Sequence, residues 1–234
     1  MKKLDEVQIE TLYVFTRKHF VEWYDVQTEL VDHLANGIED QWQENPNITF
    51  DEALTKEFKK FGVFGFSEIV EQKTNALSKH YIKEVLKYLK EYFKLPKIII
   101  TSFSVWVVFK LMQLFEHKDY FVIPLVFIVF GYVIFYATKE NLRIKKSFKE
   151  TGKKWLFENI YGQMGGFIHL FNIGIYFPII SNSKAEWSVT SQFIFSFCVV
   201  LYVLLIYISI KVVSPKLRQK LAKEHPEYFL TFNA

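Results

Sequence analysis

The sequence predicts an all-α protein, a small soluble helical domain followed by a four-helix transmembrane bundle. Three observations carry that reading. Charge divides the chain: residues 1–75 hold 8 Lys/Arg against 15 Asp/Glu, a net of −7, and the remainder is net +11. The acidic part repeats its apolar residues at three- and four-residue intervals, the period of a helix. The basic part contains four apolar runs of about 19–23 residues, each long enough for a hydrocarbon core of about 30 Å. Half of the 234 residues are hydrophobic and 25 are Phe, a heavy load for a soluble chain.

The acidic part, 1–75, divides into short helices. Leu4, Val7, Leu12 and Phe15 mark one over residues 4–20. Leu30, Val31, Leu34, Ile38 and Trp42 form the buried stripe of a second over 24–44, which Pro46 closes. Thr49 and Glu52 make a capping box for a third, and Gly62 stands where a left-handed C′ residue belongs. Ser67 opens a long fourth helix reaching about Lys94. Its second half, within the connecting segment 76–96, sets Lys79, Lys83, Lys87, Lys90 and Lys94 on one face. Leu77, Tyr81, Val85 and Leu89 occupy the opposite one, as in a basic amphipathic helix at a membrane surface.

The run Asp25-Val26-Gln27-Thr28-Glu29-Leu30-Val31-Asp32-His33-Leu34, then Thr49-Phe50-Asp51-Glu52-Ala53-Leu54 and Phe61-Gly62, resembles the HTH-associated α-helical signalling (HAAS) domain. That family is itself similar in helix pattern to the prefix domain found before some permeases. The resemblance covers residues 20–75. It implies a cytoplasmic domain ahead of a membrane region and a PadR-type transcription regulator as partner. The chain has no helix-turn-helix of its own, so no direct contact with nucleic acid is expected.

The membrane region, 97–213, is expected to cross at about 97–115, 120–138, 162–180 and 191–213, leaving a basic tail over 214–234. Basic residues set the orientation: three segments on one side hold 18 Lys/Arg, and the opposite loops hold only Lys118 and Lys184. Both termini and the loop 139–159 are therefore expected in the cytoplasm, at the inner membrane of a bacterium. The opening MKKLDEVQIE has no apolar h-region, so the first span serves as the insertion signal. Lys83, Lys87, Lys90 and Lys94, with Lys145, Lys146, Lys149, Lys153 and Lys154 of the loop, are expected to lie on anionic headgroups. Lys110, inside the first span, is expected to snorkel outward.

Chemistry is sparse. No metal-ligand, phosphate-loop or nucleophile motif occurs. The single cysteine, Cys198, lies in an apolar run and excludes an intrachain disulfide or CxxC site. No cofactor, metal or catalytic residue is expected. In the third span His169, Asn172 and Tyr176 form a polar stripe with Gly165, either an interhelical hydrogen-bonding seam or an intramembrane site. Asp25, Glu29, Asp32, Glu39 and Asp40 of the second helix are either a solvated face or a partner-binding surface. The function expected is a membrane-anchored, non-enzymatic regulatory or adaptor protein with a cytoplasmic protein partner, compatible with a homo-oligomer. The alternative is a small transporter or transporter subunit with its site at His169 and Asn172.

Overall fold

Helix α1, Glu6–Lys18, starts where Asp5 accepts from the amide of Gln8 at 2.7 Å and Gln8 reaches back to the Asp5 amide. This capping box starts the helix two residues after the expected point. At the other end Phe20 adopts φ 65°, and the Val21 amide bonds the Thr16 carbonyl at 3.1 Å. That is a Schellman stop with phenylalanine in the usual glycine place. These coordinates come from a computed structural model, which describes residues 2–162, 187–225 and 228. Among them every regular element is helical.

The chain divides into two compact units. The first comprises residues 1–78 together with 148–159. It contains α1, α2 (Tyr24–Glu44), α3 (Phe50–Lys59) and the start of α4 (Ser67–Glu91). The acidic domain expected over 1–75 is its first segment; the second comes from the loop expected on lipid. Leu12, Leu34 and Ile38 are wholly buried, and Trp42 donates its indole N–H to the Ile48 carbonyl at 3.1 Å. Phe58 and Phe61 are only half-buried. They surround the buried Phe66, at ring-centroid distances of 5.0 and 4.9 Å. The α3 capping box forms as expected, with Thr49 Oγ1 accepting from the Glu52 amide at 3.3 Å. Gly62 and Gly65 take φ of 73° and 55°, which throws Val63 and Phe64 into solvent between them.

The second unit comprises residues 79–147 and 160–234. Its helices are the end of α4, α5 (Lys97–Gln113), most of α6 (Asp119–Thr151), α8 (Val189–Tyr207) and α9 (Ser214–Glu224). The short α7, Leu156–Gly162, straddles the boundary between the two units. Val133, Ile206 and Ile210 form one core cluster, and Met112, Val122 and Phe195 form another. The α6 helix runs 13 residues past the expected end of the second span, so 139–151 is helix and not loop. Gly152, at φ 66°, stops it. Ser214 does not cap a new helix. The turn Ile208–Val213 widens to π geometry and carries α8 into α9 without a break, so no amide there needs a cap. Among the described residues two helices are long and apolar enough to cross a membrane, Asp119–Thr151 and the continuous Val189–Lys223. The α5 helix has 17 residues, about 25 Å at 1.5 Å each. The expected third span, beyond Gly162, lies outside the described residues, as do His169, Asn172 and Tyr176.

Candidate functional site

The first unit builds its most distinctive feature around the start of α2. The Tyr24 amide donates to the Lys154 carbonyl at 2.6 Å. The Asp25 carboxylate then accepts from the Leu156 amide at 3.0 Å and from its neighbour Val26 at 3.2 Å. One short acidic side chain thus serves as cap for a helix that starts 131 positions later. Trp155 packs edge-on against Tyr24 at 5.3 Å, and Trp155, Leu156, Phe157 and Glu158 are all buried. Lys153 Nζ stands 3.9 Å from the centre of the Tyr24 ring, and Lys154 pairs with Glu22 at 2.7 Å. Burial raises the Asp25 pKa above the ordinary carboxylate value, against the opposing pull of the Leu156 and Val26 amides.

These contacts correct one expectation. Asp25 is not an exposed acid awaiting a partner, because its carboxylate is committed to the amide of Leu156. Lys153 and Lys154, expected on headgroups, have an aromatic ring and a carboxylate of their own unit as neighbours. Of the other acids, Glu29 pairs with Lys73 at 2.6 Å, and Glu39 accepts from the Leu4 amide at 3.1 Å. Asp32 and Asp40 are exposed. Beside the loop, a cleft of about 610 Å³ runs past Tyr13, Arg17, Tyr24 and Lys153. Its charges close on one another, Arg17 on Glu10 at 2.9 Å and Lys154 on Glu22, so it offers no concentrated field for a charged ligand.

A second polar constellation belongs to the other unit. Glu140 of α6 is buried and accepts from Arg218 of α9 at 2.7 Å and from Arg143 at 3.1 Å. Nearby, Tyr81 is wholly buried, stacked on Tyr161 at 5.3 Å, with its hydroxyl 3.5 Å from Ser214 Oγ. Lys216 reaches the Tyr88 hydroxyl at 2.8 Å. The face of α4 carrying Tyr81 and Val85 is therefore spent on this unit. Spacing alone could not find the Glu140–Arg218 pair, since its members stand 78 residues apart. The available signal was a single acid just past an apolar run, within a basic segment.

Lys83, Lys87, Lys90, Lys94, Lys145, Lys146 and Lys149, expected on headgroups, are exposed. Lys87 stands 3.7 Å from Glu84. Lys110 is also exposed, and its Nζ bonds Gln113 at 3.2 Å. Among the described residues no group of three or more His, Cys, Asp and Glu side chains is placed to hold a metal ion. A scan against protein-family models gives no match, and searches of curated proteins and of solved structures give none either.

Proposed function

We propose that this chain is a membrane-anchored, non-enzymatic regulatory or adaptor protein. In this reading the α5, α6 and α8 helices and the 162–180 segment cross the bilayer, both termini are cytoplasmic, and the acidic unit receives a protein partner. One observation carries it: the acidic unit is completed by residues 148–159, which begin in the last turn of an apolar helix long enough to cross a membrane. A partner that grips the acidic unit is thereby connected, through a few residues, to that helix. Burial supports the membrane part. In the most apolar window of α6 only 11% of residues are buried, whereas the core helix of a soluble protein is mostly buried.

The exposed acids Asp32 and Asp40, with Glu29, supply the charge of the partner surface. Phe20, 88% exposed in a left-handed conformation, and Phe64 supply apolar anchors. The HAAS-like residues of α2 make a PadR-type transcription regulator the partner of first choice. The test is binding of such a regulator, encoded beside this gene, to the full chain in nanodiscs. Asp32→Asn with Asp40→Asn is expected to weaken it several-fold, and equal binding removes the acidic-surface reading. Reporter fusions at Lys149 and Ala234 are expected to register inside and one at Lys184 outside. An external signal at Lys149 overturns the orientation.

A further inference from the structure

The part of α4 that belongs to the second unit carries three different faces. At about 100° per residue, positions 79–91 sort into consecutive arcs. Tyr88, Tyr81 and Val85 form the first, which is turned to protein: Tyr81 and Val85 have no exposed surface. Leu89, Ile82 and Leu86 form the second. Ile82 and Leu86 are 37% and 45% exposed, and Phe93 and Leu95, in the turn that follows, are 41% and 79% exposed. Lys79, Lys90, Lys83 and Lys87 form the third, all exposed, and His80, Glu91 and Glu84 close the circle. An apolar strip thus lies uncovered between a protein-packed edge and a lysine edge.

Two contacts fix where along the unit this helix runs. Tyr81 meets Ser214 and Tyr88 meets Lys216, although Tyr81 and Tyr88 are about 10 Å apart along their own axis. Ser214 is the first residue past the apolar stretch that ends at Val213. Both ends of this piece of α4 therefore sit level with the point where α8 leaves its apolar length.

We propose that residues 79–95 form an in-plane anchor in the inner leaflet of an anionic bilayer. Ile82, Leu86, Leu89, Phe93 and Leu95 enter the acyl boundary, and Lys79, Lys83, Lys90 and Lys94 lie on lipid phosphates. Three-way division is what such an anchor requires: one edge fixed to protein, one apolar, one basic. Charge complementarity selects the occupant, because a basic edge beside an apolar one matches an anionic headgroup above an acyl chain. The inference rests on the membrane reading above.

The test uses the full chain carrying Cys198→Ser and single spin-labelled cysteines at Ile82, Leu86, Lys87 or Phe127. Each is placed in nanodiscs of phosphatidylcholine alone or mixed with phosphatidylglycerol. Labels at 82 and 86 are expected to be several-fold more accessible to oxygen than to a water-soluble nickel complex, relative to the label at 87. The contrast should sharpen with phosphatidylglycerol and shrink when Lys79, Lys83, Lys90 and Lys94 become Gln. Inorganic phosphate added to the detergent-solubilised chain is expected to leave the labels unchanged; a response there assigns the lysines to a free anion and overturns the anchor. Water-exposed labels at 82 and 86 beside a lipid-exposed label at 127 sink the anchor and leave the membrane reading standing. A water-exposed label at 127 sinks both. Labels at 82 and 86 shielded from both probes mean that protein, a second copy or another chain, covers the strip, which also overturns the proposal.

Discussion

The carboxylate of Asp25 accepts a hydrogen bond from the amide of Leu156 at 3.0 Å, joining the first turn of α2 to the start of α7. Removing the acceptor leaves a part-buried amide without its bond, at a cost of about 1–3 kcal/mol. Asp25→Ala is therefore expected to loosen residues 152–158 while α2 and α3 keep their structure. Hydrogen exchange followed by mass spectrometry reads this directly, and unchanged protection of 152–158 refutes it.

Acid acts on this contact and on the α3 cap with opposite signs. The folded-state pKa of Asp25 is raised by burial, so the stability linked to its proton is present in full below the unfolded value, about 3.9, and lost as pH rises through the raised value. The pKa of Glu52 is lowered, chiefly by the Thr49 amide and hydroxyl, so its contribution is present above the unfolded value and lost as pH falls through the lowered one. Acidification from neutrality is expected to tighten the 148–159 segment until, at lower pH, the α3 N-terminus frays. Asp25→Asn should flatten the first response only. Exchange rates of the two segments across a pH series, corrected for intrinsic chemistry, check both signs.

Burying Glu140 between Arg218 and Arg143 makes the pair sensitive to loss of one member. Arg218→Ala leaves Arg143 alone to serve the carboxylate and is expected to cost up to about 3–5 kcal/mol. Replacing both members, Glu140→Leu with Arg218→Met, should recover most of that cost, since the buried carboxylate and its nearer arginine are removed together and the part-exposed Arg143 can turn to solvent. Thermal unfolding of the detergent-solubilised variants compares them. A double variant no better than the single one contradicts this account.

Gly37 faces the carboxyl group of Glu57, and a Cβ built there would overlap its Cδ. A surface carboxylate could swing aside. Glu57 is 2% exposed and held by Gln41 at 3.0 Å and by Lys60 at 2.6 Å. Gly37→Ala is thus expected to destabilise the acidic unit by about 1–3 kcal/mol through overpacking. Pairing it with Glu57→Ala should relieve the clash, a non-additivity that chemical denaturation can measure.

What could be read from the sequence was local. The α2 boundaries, the Thr49–Glu52 box and the Gly62 turn depend on neighbours a few residues apart, and the structure reproduces them. The long-range partners could not be read. Nothing near Asp25 announces that it caps Leu156, because an aspartate in the first turn of a helix satisfies its own helix dipole equally well. Lys153 and Lys154 look like headgroup lysines for the same reason: charge and position beside an apolar run are all that the sequence displays. Glu140 and Arg218 are ordinary surface residues until folding brings them to 2.7 Å.

Residues 148–159, which complete the acidic unit, have a consequence in time. A chain is made from its N-terminus, and early parts fold as they emerge. Here the seam at Tyr24 and Asp25 must wait for Trp155 and Leu156, which the ribosome adds only after α5 and α6 are finished. Until then Tyr24 and Asp25 face water with their partners unmade. The finished acidic unit is therefore a certificate that the helices behind it have been synthesised. A truncated chain, stopped anywhere before residue 148, carries an acidic domain with an open seam.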